Sequence, residues 1–143
     1  MKTRSRFEKL DVWQEARKIN QVVYRLTRKF PREELFATTS QIRRASISVS
    51  SNIAEGSGRN SDKDFAHFLE QAYGSLMEVA SNFYLALDEG YVKESNLDPL
   101  FDELERLAKR TVSLNCSLSV TTSKTPFRRT KPPALDPRRS TLD

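Results

Sequence analysis

Four segments of this chain place apolar residues at alternating steps of three and four. In the first, Val12, Ala16, Ile19, Val23, Leu26 and Phe30 follow at steps of 4, 3, 4, 3 and 4. In the last, Leu97, Leu100, Leu104, Leu107, Thr111, Leu114 and Leu118 step by 3, 4, 3, 4, 3 and 4. Between them come Ile42, Ala45 or Ser46, Val49 and Ile53, and then a wider stripe of Phe65, Phe68, Leu69, Ala72, Leu76, Val79, Ala80, Phe83 and Leu87. A period near 3.6 puts each set on one face of an α-helix. A helix with one apolar face must bury it against others, and short connections make successive helices antiparallel neighbours. The expected fold is all-α, an up-down-up-down antiparallel four-helix bundle.

Local signals give the boundaries. Asp11 lies near the N-cap of the first helix, and Pro31 is expected to stop it. "PREELFATT" reads as a turn with an apolar plug, Leu35 and Phe36. Gly56 is placed as the C′ residue of the second helix. Ser61 with Asp64 suits a capping box at the start of the third, which Gly90 ends. The fourth is expected to start near Asn96, with Pro99 in its first turn. From Thr121 the pattern collapses into "TTSKTPFRRTKPPALDPRRSTLD", which has almost nothing to bury. The expected organisation is a bundle over 1–120 and a basic, Pro-rich disordered tail over 121–143.

The 143 residues suit one domain. Cys116 is the single cysteine, so no internal disulfide can form and a reducing compartment fits. No apolar core follows the charged start "MKTRSRFEKLDVW", and the longest apolar run is Phe83 to Leu87. The expected location is the cytoplasm, with no membrane partner. Net charge is +5, unevenly spread. Residues 1–60 hold 13 Lys+Arg against 6 Asp+Glu (+7), residues 61–120 hold 5 against 11 (−6), and residues 121–143 hold 6 against 2 (+4).

"SQIRRASISVSSNIAEGSGR" is unusually rich in small residues for a helix. Small side chains let another helix approach closely, and serine hydroxyls can bond back to the preceding turn. Several apolar or small residues also fall outside the four stripes. They are Trp13 and Tyr24 on helix 1, Ile47, Ser50 and Ala54 on helix 2, and Tyr73, Gly74, Met77 and Tyr84 on helix 3. They are read as a subunit interface, the plain alternative being extra core within one bundle. Gly74 in mid-helix costs about 1 kcal/mol against alanine, which close contact would explain.

"FEKLDVWQEARKINQVVYRLTRKFP", "SQIRRASISVSSNIAEG", "DFAHFLEQAYGSLMEV" and "LALDEGYV" together resemble the four-helix bundle proteins encoded in intervening sequences of bacterial 23S ribosomal RNA genes. The resemblance covers roughly residues 7–118, and "NIAEG" is among its more specific elements. It implies a four-helix bundle, a ring-like homopentamer and association with RNA. A more distant resemblance is to the accessory proteins of diversity-generating retroelements, which bind a reverse transcriptase and nucleic acid.

Enzymatic constellations are poor. His67, the only histidine, sits about 200° from Phe65 on the helical wheel, away from the core stripe. One histidine cannot build the paired Glu-x-x-His site of a di-iron bundle, and nothing nearby activates Cys116. No catalytic, metal or cofactor site is expected, and no enzyme activity. "GSGRNS" lacks a phosphate-loop signature and reads as a helix stop and restart. Asn52 and Glu55 are read either as a shared polar site or as register-fixing contacts.

The cations divide between two ends. Arg25, Arg28, Lys29, Arg32, Arg43 and Arg44 share one end with Asp88, Glu89, Glu94 and Asp98, and charges there are expected to compensate. Lys2, Arg4, Arg6, Lys9, Arg59, Lys63, Lys109 and Arg110 gather at the other, with Arg128, Arg129 and Lys131 of the tail. This second group is the expected nucleic-acid contact. The functional expectation is a non-enzymatic homo-oligomer, a pentamer by resemblance, acting as a binding or assembly module for RNA or a ribonucleoprotein. The alternative is a protein-interaction scaffold with no nucleic-acid partner.

Overall fold

The structure, a computed structural model, describes residues 1–122. α1 spans Asp11–Thr27, α2 Thr38–Ser57, α3 Asp62–Asp88 and α4 Glu94–Thr122. Two short 3₁₀ turns, Arg6–Lys9 and Arg32–Glu34, precede α1 and α2. There is no strand among the described residues. The expected tail lies outside them, apart from the last two residues of α4.

The predicted stripes form the core. Val12, Ala16, Ile19 and Val23 of α1, Ile42, Ala45, Val49 and Ile53 of α2, Phe65, Leu69, Leu76 and Phe83 of α3, and Leu97, Leu100, Leu104 and Leu107 of α4 are all buried. Leu114 and Leu118 are partly buried against it. α1 packs on α2 and α4, and α3 packs on the same two helices. The diagonal pairs make no close backbone approach among the described residues. The cross-section is a square, with each helix antiparallel to its two neighbours.

Several local expectations need correction. α1 ends at Thr27, three residues before Phe30, although Phe30 is still buried, edge-on to Phe83 at 6.3 Å. Proline disfavours a helical conformation in the residue before it, so the helix stops short of Pro31 itself. Leu35 and Phe36 plug nothing: they are 45% and 93% exposed, and Phe30, Phe83 and Val92 close that end instead. Gly56 is not a helix stop but a buried residue inside α2, which runs on to Ser57 with Gly58 as its cap. Pro99 is the sixth residue of α4, not part of its first turn, because the helix begins at Glu94. Its missing N–H leaves the Ser95 carbonyl without the usual donor.

Two signals are realised as expected. The Ser61 hydroxyl accepts from the Asp64 N–H at 3.1 Å and caps α3, which is one half of the expected capping box. Gly90 takes φ 77°, and Tyr91 N–H reaches back to the Ala86 carbonyl at 2.9 Å. This is a Schellman ending that a left-handed glycine permits.

The small residues of α2 let its neighbours close in. A Cβ added at Gly56 would lie 2.6 Å from Phe68 Cβ and 2.8 Å from Phe65 Cδ2. The Ser75 hydroxyl donates to Ser48 Oγ at 2.9 Å across the α2–α3 seam, and the Ser46 hydroxyl donates to Asn20 Oδ1 at 2.9 Å across α1–α2. Asn52 donates to Ser48 O and Oγ within its own helix, while Glu55 pairs with Arg59. They do not share a polar site. Other hydroxyls bond back as expected, Ser50 to Ile47 O and Ser57 to Ala54 O.

Candidate functional site

The out-of-stripe residues divide into two sets. Tyr24 lies in the α1/α2 groove, where the Arg43 guanidinium stacks 4.5 Å from its ring centroid. Trp13, on the same side of α1, is half-buried edge-on to Phe7 at 4.7 Å, with Arg17 over its ring. Ile47, Ser50 and Ala54 follow Arg43 at steps of 4, 3 and 4, so they share its side of α2. Ile47 is 44% exposed, and Ser50 and Ala54 are half-buried.

Tyr73, Met77 and Tyr84 face the other way, into a groove between α3 and α4. Ala80, Phe101, Leu104 and Ala108 complete its apolar lining. Tyr84 stacks on Phe101 at 4.7 Å yet remains 56% exposed, and Met77 is 42% exposed. Gly74 is exposed, and a Cβ there would meet nothing within 4 Å. Close contact within the chain does not explain it. In a square bundle the α1/α2 and α3/α4 grooves lie on opposite flanks.

The flanks also differ in charge. Ala16 to Arg32 holds Arg17, Lys18, Arg25, Arg28, Lys29 and Arg32 with no acid, and Leu35 to Ala54 holds Arg43 and Arg44 with none. Residues 61–120, which carry α3 and nearly all of α4, hold the −6 excess. One hairpin is basic and the other acidic; the acidic one carries the apolar groove, and the basic one carries Trp13, Tyr24, Ile47 and Ala54 on its outer side.

Four of the eight expected nucleic-acid residues that the structure describes are occupied. Arg6 donates to the Ser57 carbonyl at 3.2 Å and lies over Phe65. Arg59 pairs with Glu55 at 2.9 Å and lies over Phe68. Lys109 pairs with Glu105 at 2.8 Å, and Arg110 pairs with Glu15. Lys109 and Arg110 stand about 18 Å below the end of α4, taking 1.5 Å per residue, so they belong to its flank. Lys2, Arg4, Lys9 and Lys63 are exposed and form no ion pair among the described residues. Arg128, Arg129 and Lys131 lie outside those residues.

The opposite end is the reverse. No ion pair forms at Arg25, Arg28, Lys29, Arg32 or Arg44 among the described residues, so the expected compensation by Asp88, Glu89, Glu94 and Asp98 is not made through direct contacts. Glu34 is used elsewhere. Its carboxylate accepts from the Thr38 hydroxyl at 2.7 Å, from the Thr38 N–H and from the Tyr91 hydroxyl at 3.1 Å. The bonds from Thr38 and then Tyr91 hold its pKa below the ordinary 4.5. The same carboxylate, more than burial, pushes the Tyr91 phenol above 10.0. Sequence reasoning missed this end because it expected neighbouring acids to be used up. The acid-free runs were the available signal.

Reactive groups are few. His67 is exposed, its Nε2 3.0 Å from the Gln71 amide nitrogen, and Cys116 is exposed. No group of three His, Cys, Asp or Glu side chains among the described residues could hold a metal ion. None of the described helices is long and apolar enough to cross a membrane.

These features define an antiparallel four-helix bundle with an outward apolar groove on its acidic hairpin and part-exposed apolar residues on its basic one. The chain belongs to the 23S rRNA-intervening sequence protein family, whose model matches residues 8–113. No curated protein matches the chain.

Proposed function

We propose that this protein is a cytoplasmic, non-enzymatic bundle that assembles into a closed homo-oligomer and serves as a binding or assembly module for RNA or a ribonucleoprotein. The observation that carries this reading is the pair of apolar surfaces on opposite flanks, the α3/α4 groove and the Trp13, Tyr24, Ile47 and Ala54 set. The basic, Trp13- and Ile47-bearing flank of one copy complements the acidic, Met77- and Tyr84-bearing flank of the next. Such a contact is heterologous, and when its rotation closes it gives a ring. Five copies follow from the family resemblance, and Gly74, open within the chain, fits a close contact with a neighbouring copy.

Light scattering at micromolar protomer concentration tests the assembly. Five protomer masses are expected, and a monomer mass refutes it. Gly74→Glu should dissociate the oligomer while leaving helical circular dichroism intact. If that variant stays assembled, Gly74 is not at the interface. Filter binding with structured RNA tests the partner. Affinity should fall steeply with salt as phosphate-bound counterions are released. No binding at low salt favours a protein-interaction scaffold.

A further inference from the structure

Two features meet at the α1–α2 end. One is a set of exposed cations, Arg25, Arg28, Lys29 and Arg32, with no ion pair among the described residues. The other is Phe36, 93% exposed in the turn between the helices. Backbone bonds hold that turn tight: Glu34 N–H to Pro31 O at 3.0 Å, Leu35 N–H to Arg32 O at 3.1 Å and Ala37 N–H to Glu34 O at 3.0 Å. Phe36 is therefore presented on an ordered turn four residues after Arg32.

Arg25 stands between two surface depressions. Tyr24, Gln21 and Arg28 line one. Lys29, the Pro99 turn of α4 and Glu103 line the other. The acids at this end are Glu33, Glu34, Asp88, Glu89, Glu94, Asp98 and Glu103. Glu34 is committed to Thr38 and Tyr91, and none of the others forms an ion pair among the described residues.

We infer that this end is the surface that receives RNA, and that it takes an unpaired strand. Resting on the RNA reading above, the inference names the site and the form of the ligand. Phosphates lie along Arg25, Arg28, Lys29 and Arg32, and a base stacks on the Phe36 ring. A positively charged track with an aromatic platform is how single strands are held without sequence readout, because every base has a π-face. A base within a duplex has no free face for Phe36. The ligand is therefore a loop, bulge or free end.

The test is fluorescence anisotropy of a short labelled oligouridine RNA, titrated with the full chain at several KCl concentrations. Arg28→Glu with Arg32→Glu should weaken binding at least tenfold and flatten the slope of log K against log salt by about 1.4, two contacts at about 0.7 each. Phe36→Ala should weaken it by about tenfold and leave the slope unchanged, the mark of lost stacking. Because Phe36 touches the core so little, its melting temperature should stay the same. If only Lys9→Glu with Lys63→Glu reduces binding, the site lies at the opposite end, and this inference fails while the RNA reading survives. No binding by the unaltered chain overturns both. A Phe36-dependent affinity for phosphatidylserine vesicles with none for RNA also overturns it, in favour of a membrane surface.

Discussion

Gly56 tests whether the α2–α3 seam is as tight as its geometry implies. It sits inside α2 with a backbone any residue can adopt, since Gly90 alone takes a positive φ among the described residues. At an open helical position, alanine in place of glycine stabilises by about 1 kcal/mol. Here the added Cβ would lie 2.6 Å from Phe68 Cβ and 2.8 Å from the Phe65 ring. Phe68 Cβ is one bond from the backbone and cannot rotate away. Restoring ordinary contact means parting the helices locally by about 1 Å. Overpacking costs about 1–3 kcal/mol, and a rigid neighbour puts this case at the upper end. The net expectation for Gly56→Ala is a loss of about 2 kcal/mol. At about 4 °C per kcal/mol for a bundle of this size, the melting temperature falls by about 8 °C. Urea unfolding followed by circular dichroism and by the fluorescence of Trp13 measures it, at one fixed protomer concentration because the proposed assembly would add to apparent stability. Gly58→Ala is the control, its nearest contact being an ordinary 3.5 Å to the Glu55 carbonyl. A Gly56→Ala protein as stable as the unaltered one would refute the close approach.

Four further outcomes follow from other parts of the molecule. Glu34 has a folded pKa below its ordinary value, so the stability it lends is present above pH 4.5 and is lost as pH falls through the folded value. The melting temperature of the unaltered chain should therefore drop more than that of Glu34→Gln on acidification. Tyr91, raised above 10.0, has the opposite sign: its contribution is present below pH 10.0 and is lost as pH rises through the folded value, which Tyr91→Phe should abolish. Thr39 is buried and its hydroxyl has no hydrogen-bond partner among the described residues, so Thr39→Val should raise stability by about 1 kcal/mol in a urea titration. A chain ending at Val120 should keep its melting temperature and oligomeric state and bind RNA more weakly, through lost avidity from the tail cations; unchanged RNA affinity would remove the tail from the interface.

The helices were legible because the 3.6 period survives tertiary context: every residue in the stripe from Leu97 to Thr111 is buried. Ser61 and Gly90 were legible because their roles are local, a hydroxyl cap and a left-handed turn. Gly56 was not. A glycine near a helix end looks like a stop, and only the rings of Phe65 and Phe68, supplied by another helix, reveal why it lacks a side chain. Leu35 and Phe36 were misread because burial belongs to the whole fold, and Phe30 already closes that end. The division of the second stripe between opposite flanks needed the neighbour relations of the square. The cations were misjudged because proximity in a topology is not pairing. Asp88, Glu89, Glu94 and Asp98 share an end with the arginines yet form no ion pair with them, while Arg110 finds Glu15 across α1–α4.

The serine contacts and the glycine notch between α2 and α3 also decide how the molecule opens. The two helices are joined across a short turn, so their contacts cost little loop-closure entropy and can form early in folding. Ser48 and Ser75 then lock the pair against sliding by a turn, since a shift of about 5.4 Å would break their bond. α2 and α3 therefore behave as one cooperative unit, and their central amides are the last to exchange with solvent. The last turns of α4, mostly exposed from Val112 to Val120, exchange far earlier and breathe independently of the seam.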